Sequence, residues 1–166
     1  MLRRPLLLST AAALLLAGCG FQLRGAPDLA FRSLFVNVSN TSTLGSELKR
    51  NLGSLGTVQI VSDASQRDSA QAVLDILSEQ REKAVVGVNA SGQVREFQLR
   101  VRVRFHLRTP QGRELIAPTE ILQQRDISFN ESAVLAKEAE EALLYRDMQT
   151  DIVQQLMRRL AAVRTL

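Results

Sequence analysis

Between Val94 and Thr109 the sequence alternates between apolar and polar side chains. The apolar positions are Phe97, Leu99, Val101, Val103, Phe105 and Leu107. The positions between them carry Gln98, Arg100, Arg102, Arg104, His106 and Arg108. A period of two fits a β-strand and no helical period, so the segment predicts a strand with one apolar and one basic face. At ~3.3 Å per residue it would extend roughly 50 Å, so it requires long neighbouring strands.

Two further extended segments supply those neighbours. Residues 72–86 precede the central strand through Asn89-Ala90-Ser91-Gly92, which has the composition of a hairpin connection. Residues 113–129 follow it through Thr109-Pro110-Gln111-Gly112, where Pro and Gly suit a type I turn and a bulge. We therefore predict an antiparallel meander of three long strands. Pro118 favours an edge position or a bulge, because proline cannot donate a ladder hydrogen bond.

In one register, the numbers of the two residues opposite each other across the second hairpin sum to about 222. That register places apolar residues opposite each other on one face and arginines opposite glutamates on the other. The pairs it predicts are Leu107 with Leu115, Val101 with Ile121, Arg102 with Glu120, and Arg108 with Glu114. The basic face would then be a solvated surface balanced by carboxylates on the next strand. A functional role for the stripe from Arg100 to Arg108 is the alternative.

A βαβ unit is predicted ahead of the meander. Residues 35–38 and 58–61 are short strand candidates, and residues 62–69 predict a polar loop. The helix between the strands has leucines at four-residue spacing, namely Leu44, Leu48 and Leu52. Its capping candidates are Thr41 and Ser42 at the start and Gly53 and Gly56 at the end.

A second, longer helix is predicted from a cap at Asn130 or Ser132 to about Arg164. Apolar residues recur there at spacings of three and four, at Leu135, Ala139, Ala142, Tyr145, Met148, Ile152, Leu156, Leu160 and Val163. At 1.5 Å per residue it would be roughly 45 to 50 Å long, like the central strand. The fold class predicted is α+β: an elongated single domain with two helices packed on one face of a mostly antiparallel sheet with three long strands.

The N-terminus has the pattern of a bacterial lipoprotein signal. Arg3 and Arg4 precede an apolar run that ends in Leu16-Ala17-Gly18-Cys19, which resembles a lipobox. We predict a signal peptide over residues 1–18, acylation of Cys19, a lipidated tether over residues 19–28 and a domain over residues 29–166. The alternatives are an ordinary signal peptide with a chance cysteine, or a core thiol. By resemblance to lipoprotein sorting signals, Gly20 predicts an anchor in the outer membrane, facing the periplasm.

The overall charge does not indicate a nucleic-acid partner. The chain carries a formal charge of +4 and has a pI near 10.0. Removal of Arg3 and Arg4 with the signal peptide leaves 19 basic against 17 acidic residues, a side-chain charge of +2. That balance is too small to predict binding to a polyanion.

The sequence predicts no catalytic residue and no metal site. Its only histidine is His106, on the basic face of the central strand, and its only cysteine is Cys19. A metal site built from His and Cys, or a Ser-His-Asp triad, therefore lacks its ligands or its base. We interpret Glu138, Glu140 and Glu141 as solvating charges on a helix. The protein is expected to be no enzyme and to hold no cofactor other than the covalent lipid on Cys19.

Four motifs together carry a family resemblance. They are the run from Leu16 to Gly25, Gly92-Gln93 with Glu96-Phe97-Gln98, Leu135-Ala136-Lys137-Glu138, and the stretch from Tyr145 to Leu160. In this order and spacing they resemble the LPS-assembly lipoprotein LptE family across essentially the whole chain after Cys19. The resemblance implies two helices on a mostly antiparallel sheet. It also implies a non-enzymatic subunit that plugs the LptD outer-membrane β-barrel, assists its assembly and binds lipopolysaccharide.

The resemblance also implies a lipopolysaccharide-binding role for Lys137, which matches the basic residue after Leu-Ala in the family. The family's basic residue in the first hairpin loop is absent, because Ala90 stands there, and Arg95 is the candidate for a second contact. The alternative role for Lys137 is an ion pair with Glu141, four residues further on. Alternative functions are an accessory lipoprotein of a periplasmic ABC-type lipid-transport system and a free-standing ligand-binding lipoprotein.

Overall fold

The computed structural model describes residues 28–166, and this range forms five β-strands and two α-helices. The strands are β1 (Ser33–Asn37), β2 (Gln59–Val61), β3 (Ala72–Val88), β4 (Val94–Arg108) and β5 (Glu114–Ser128). The helices are α1 (Thr43–Ser54) and α2 (Val134–Ala162), and short 3-10 turns cover Ala64–Ser69 and Glu131–Ala133. The predicted signal peptide, Cys19 and the tether up to residue 27 lie outside the described residues.

The strands form one sheet in the order β2-β1-β3-β4-β5. The short strand β1 runs parallel to β2 and to β3, and it pairs with β3 only from Leu34 opposite Ala72 to Asn37 opposite Asp75. The three long strands form the predicted antiparallel meander. Gly92 and Gly112 adopt positive φ angles in its two turns, as such hairpins require. The α+β prediction is confirmed.

The predicted register of the second hairpin is correct at its turn and wrong beyond it. Arg108 lies opposite Glu114 as expected, but residue numbers then shift by two, so that Val103 faces Ile121 and Arg104 faces Glu120. The register positions predicted for Leu107 with Leu115, Val101 with Ile121 and Arg102 with Glu120 are wrong, although Arg102 Nε still lies 3.7 Å from Glu120 Oε1 along the diagonal. The cause is two irregularities in β5, one of which places Ala117 and Pro118 opposite a single residue of β4. Pro118 thus occupies both an edge strand and a bulge.

The apolar face of β4 forms the sheet side of the hydrophobic core. Its side chains from Leu99 to Leu107 are at most 1% exposed, and both helices pack on them. The helix residues in this cluster include Leu44, Leu48 and Leu52 of α1 and Met148, Ile152, Leu156 and Leu160 of α2. Ser42 caps α1, its Oγ accepting a hydrogen bond from the Gly45 N–H at 2.9 Å. The prediction of two helices on one face is therefore confirmed.

A buried glutamine fixes α2 against α1 and β3. Oε1 of Gln149 accepts hydrogen bonds from the Thr43 hydroxyl at 2.7 Å and from Arg81 at 2.9 Å. Its Nε2 donates to Glu47 at 2.7 Å. A buried amide stabilises a fold only when its donors and acceptors are satisfied, and here three partners from α1 and β3 pair with it.

The first half of α2 does not follow the predicted apolar stripe. Leu135 is 82% exposed, and Ala139 and Ala142 are exposed as well. The buried residues of this helix begin only at Met148. Towards the N-terminus the helix instead turns polar residues, Glu141 among them, to the sheet, because the strand below carries charged residues.

The opposite face of the sheet carries the basic residues of β4. Among the described residues, only its β1 end is covered, where Phe35, Val61, Ala70 and Val73 form a small apolar cluster beside the first 3-10 turn. That turn lies within the segment predicted as a polar loop. Across residues 28–166, neither α-helix is long and apolar enough to cross a membrane.

Asp75 connects three strands where the apolar cluster gives way to the basic face. Its carboxylate accepts hydrogen bonds from Asn37 at 2.7 Å, from Arg108 Nε at 2.9 Å and from His106 Nε2 at 2.7 Å. Burial acts to raise the pKa of Asp75. The three hydrogen bonds and the positive charge of Arg108 outweigh that effect and hold the pKa below its ordinary value of 3.8.

Candidate functional site

Lys137 lies in the first turn of α2 and reaches back to the end of β5. Its Nζ donates to Ser128 Oγ at 2.9 Å and to Glu140 Oε2 at 2.8 Å. Its side chain is only 22% exposed, so the ammonium group is held in a defined place. The alternative prediction of a pair with Glu141 is wrong, because Glu141 is engaged by a lysine of β3.

That lysine is Lys83. Its Nζ lies 2.6 Å from Glu141 Oε2 and 4.3 Å from the centre of the Phe97 ring. Phe97 in turn packs edge to face on Phe129, with ring centres 5.3 Å apart. Two lysines from β3 and α2 are thus held beside a pair of aromatic rings.

These groups line a small cavity of about 60 Å³ between the start of α2 and the ends of the long strands. Its lining residues include Phe97, Ile127, Phe129, Lys83 and Lys137. The wall therefore combines apolar and cationic side chains, and Glu138 and Glu141 also line it.

An open cleft of about 440 Å³ shares Lys83, Glu138 and Glu141 with this cavity and extends to Tyr145. The Tyr145 hydroxyl donates to the Glu82 carbonyl at 2.9 Å, and the Arg81 guanidinium lies 5.5 Å from its ring centre. Burial raises the pKa of Tyr145, the Glu141 carboxylate adds to the rise, and Arg81 opposes it. The phenol therefore stays neutral at physiological pH and serves as a hydrogen-bond donor.

Arg95 lies at the same end of the sheet. It is exposed, two residues before Phe97 on the same face of β4, and its Nη2 donates to Gln93 at 3.3 Å. The structure shows no direct contact between Arg95 and Lys137. Ala90 is exposed in the turn beyond.

Exposed apolar side chains lie in the last residues of β3 and in the first ten residues of α2. Six large ones are at least 40% exposed there: Val85, Val86, Val88, Val134, Leu135 and Leu143. Val85 lies opposite Phe97 in the sheet, and Val134 lines the small cavity. An amphiphile with anionic head groups would contact these apolar side chains and compete with Glu140 and Glu141 for the two lysines.

A larger cleft of about 550 Å³ lies where β1 ends, between residues 38–43 and β3. Its lining is mostly polar, and the Ser42 hydroxyl donates to Glu79 at 2.7 Å across it. Neither Lys137 nor Arg95 lines this cleft. Among residues 28–166, no group of three or more His, Cys, Asp or Glu side chains is placed to hold a metal ion.

Sequence reasoning missed two residues that line the small cavity with Lys137, namely Lys83 and Phe129. Both are remote in sequence from Lys137, and their placement depends on the strand register and on the phase of α2. The Lys83 to Glu141 pair could have been suspected only from the charged residues that interrupt the apolar pattern of β3.

One family model and several known proteins match most of the chain. The LptE family model, described as lipopolysaccharide-assembly, matches residues 31–160. An LPS-assembly lipoprotein LptE from Pectobacterium atrosepticum is 29% identical over 154 residues, covering 92% of this chain and 82% of that protein. One from Yersinia pestis is 32% identical over 160 residues, covering 95% of this chain and 75% of that protein.

Solved structures share the fold. An uncharacterized lipoprotein B from Nitrosomonas europaea superposes with a TM-score of 0.73 and 36% identity, covering 86% of this chain and 91% of that one. The rare lipoprotein B from Shewanella oneidensis superposes with a TM-score of 0.65 and 25% identity, covering 78% of this chain and 94% of that one.

Proposed function

The chain belongs to the LptE lipopolysaccharide-assembly family, and from that premise we propose that it plugs the LptD outer-membrane β-barrel, assists its assembly and binds lipopolysaccharide during insertion into the outer leaflet. In this role the protein is no enzyme. Its partners are the barrel, lipopolysaccharide and the membrane that holds its lipid anchor.

The observation that carries the lipopolysaccharide part of the proposal is the setting of Lys137. Its side chain is 22% exposed and lines a cavity together with Phe97, Phe129 and Lys83. Lipid A combines phosphates with acyl chains. This site places two lysines beside apolar surface, and a phosphate would have to replace the carboxylates of Glu140 and Glu141 that now pair with them. Lysine binds phosphate as a point charge through charge-assisted hydrogen bonds.

A phosphate can compete for Lys137 because its present ion pair is weak. Glu140 belongs to an i,i+3 pair and its side chain is 49% exposed. Such exposed pairs contribute at most ~1 kcal/mol. The Ser128 hydroxyl can remain as a neutral partner while the phosphate replaces the carboxylate.

The test uses Lys137→Asp, alone and combined with Arg95→Asp, with binding to purified lipopolysaccharide measured at fixed ionic strength. A charge-assisted hydrogen bond contributes ~1.5–3 kcal/mol, so the single change should weaken binding about tenfold or more. The double variant should bind more weakly still. Melting temperature and barrel assembly should remain close to those of the parent.

The matched control is Arg50→Asp, which makes the same charge change on the exposed surface of α1. It should bind lipopolysaccharide like the parent. Equal binding by the parent, the control and the double variant would show that the contact surface lies elsewhere.

The barrel part of the proposal predicts co-purification with LptD in detergent. It also predicts protection of residues 62–69 from proteolysis in the complex, since the barrel wall would enclose them. Failure to co-purify, with cleavage unchanged when the barrel is added, would contradict the plug and favour an accessory role in an ABC-type lipid-transport system.

The membrane anchor is proposed on the lipobox that ends at Cys19. Intact-mass measurement of the membrane-extracted protein should show a chain that begins at an acylated Cys19. Several acyl chains, each adding ~0.8 kcal/mol per buried methylene, would hold it in the outer membrane. A free thiol at Cys19 would contradict this part of the proposal.

A further inference from the structure

The uncovered face of β4 carries a row of three arginines, Arg100, Arg102 and Arg104, which we name the arginine row. Every second residue of a strand points to the same side, so neighbouring members are about 7 Å apart. Both described helices pack on the other face of the sheet. Arg104 is exposed, and the other two are partly exposed.

Within residues 28–166, the arginine row has few hydrogen-bond and ion-pair partners. The Nε of Arg102 is buried without a hydrogen-bond partner, and its carboxylate neighbour Glu120 is 3.7 Å away. Arg104 forms no ion pair among the described residues. Arg100 donates its Nε to the neutral Gln98 at 2.7 Å. Guanidinium N–H groups without acceptors, one of them buried, are suited to hydrogen bonds with acceptors on another molecule.

The flanking strands bound the arginine row without neutralising it. On β3 the residues opposite it are Ser78, Gln80 and Glu82, and on β5 they are Glu120, Leu122 and Gln124. The carboxylates Glu82 and Glu120 therefore lie beside opposite ends of the row, with neutral side chains between them. Lysine is absent from these flanking positions, and protein interfaces are enriched in arginine and depleted in lysine.

We infer that the arginine row docks on the acidic face of a partner β-sheet whose carboxylates recur at every second residue. The inference rests on the proposed function, in which that partner is the inner wall of the LptD barrel. A strand repeats its side chains at the same ~7 Å spacing as the arginine row, so successive charges can pair in register. Sheets pack face to face at ~10 Å, which suits side chains of this length.

Charge complementarity favours this partner over two others. A second copy related by a two-fold axis would bring arginines against arginines at the centre of the contact. A polyanionic glycan would be repelled by Glu82 and Glu120 at the two ends. A protein surface can place basic groups opposite those carboxylates and acidic groups between them.

The test is the variant with Arg100→Glu, Arg102→Glu and Arg104→Glu together, purified with the LptD barrel in detergent at two ionic strengths. Like charges across an interface are strongly unfavourable, so the barrel-bound fraction should fall at least about tenfold at low salt. Parent binding should weaken with added salt, and the loss caused by the substitutions should shrink. Arg104→Glu alone changes an exposed residue, so its melting curve should match that of the parent. Its barrel-bound fraction should also fall at low salt.

The control reverses an equal number of exposed charges elsewhere, at Arg50, Arg158 and Arg164. It should retain the parent's barrel binding. If the parent co-purifies and the arginine-row variant does so equally well, the inference is wrong while the proposed function stands. If the parent fails to co-purify, both are overturned.

Two other outcomes would also overturn the inference. Loss of lipopolysaccharide binding with barrel binding retained would assign the arginine row to an anionic glycan. A parent that is dimeric by light scattering, with a monomeric arginine-row variant, would assign it to a second copy of the chain.

Discussion

Asp75 offers a sharp test of how the sheet is held together. The carboxylate is buried and accepts three hydrogen bonds, from Asn37 on β1 and from His106 and Arg108 on β4. Asp75→Ala would remove all three and leave the Arg108 guanidinium without its carboxylate. Asp75→Asn would keep one acceptor oxygen for Asn37 while removing the charge.

The expected magnitude follows from burial. Removing one partner of a buried ion pair costs ~3–5 kcal/mol when the other stays desolvated. The Arg108 and His106 side chains are 22% and 23% exposed, so water can partly rehydrate them after the substitution. We therefore expect Asp75→Ala to lower the free energy of unfolding by about 2–4 kcal/mol, out of a total of ~5–15 kcal/mol for a domain.

The pH dependence has a defined sign. The pKa of Asp75 is lowered in the folded state, so its stabilisation is present above the ordinary value of 3.8. That stabilisation is lost as the pH falls through the lowered folded-state pKa. The difference in unfolding free energy between the parent and Asp75→Ala should therefore be constant at higher pH and shrink below about pH 4.

Urea unfolding followed by circular dichroism, at a series of pH values from neutral to acid, measures this difference. The control is Asp126→Ala, an exposed carboxylate that accepts a hydrogen bond from Gln98 at 3.0 Å. It should change the free energy of unfolding by ~0.5 kcal/mol or less. Equal losses for Asp75→Ala and Asp126→Ala, or a loss that grows towards acid pH, would refute the reasoning.

Two further pairs of substitutions test the packing. Val103→Asp would bury an unpaired carboxylate under the helices and should unfold the domain, whereas Arg104→Asp on the other face should be mild; equal thermal shifts would mean that the faces are misassigned. Gly45→Ala would place its Cβ 2.5 Å from a methyl of Val38 and should lower the free energy of unfolding by ~1–3 kcal/mol. Gly53→Ala would place its Cβ with nothing within 4 Å and should raise that free energy by ~0.5–1 kcal/mol. Urea midpoints measure both changes.

The central strand was predictable because its pattern allows one interpretation. Strict alternation from Phe97 to Leu107 fixes both the period and the buried face, and the turn residues on either side fix its antiparallel neighbours. The cap at Ser42 was predictable for a similar reason, since its chemistry is local. The shift in register beyond the second turn was not, although Pro118 marked the strand as irregular.

The phase of α2 shows where sequence reasoning fails. Stepping back from Tyr145 by three or four residues at a time gives Ala142, Ala139 and Leu135, all of which are exposed. Glu141 faces the sheet instead, because β3 presents Lys83 at this point rather than an apolar side chain. The partner of a helix decides its phase, and that partner is 58 residues away in sequence.

The short pairing of β1 with β3 has a consequence for solubility. Beyond Asp75, one side of β3 has no pairing strand among residues 28–166, and such unpaired edges recruit strands from other chains. This edge is protected by an irregularity at Leu77, by the charged run from Glu79 to Lys83, and by the Tyr145 hydroxyl on the Glu82 carbonyl. These features let more than half of the longest strand remain open on one side without acting as a template for aggregation.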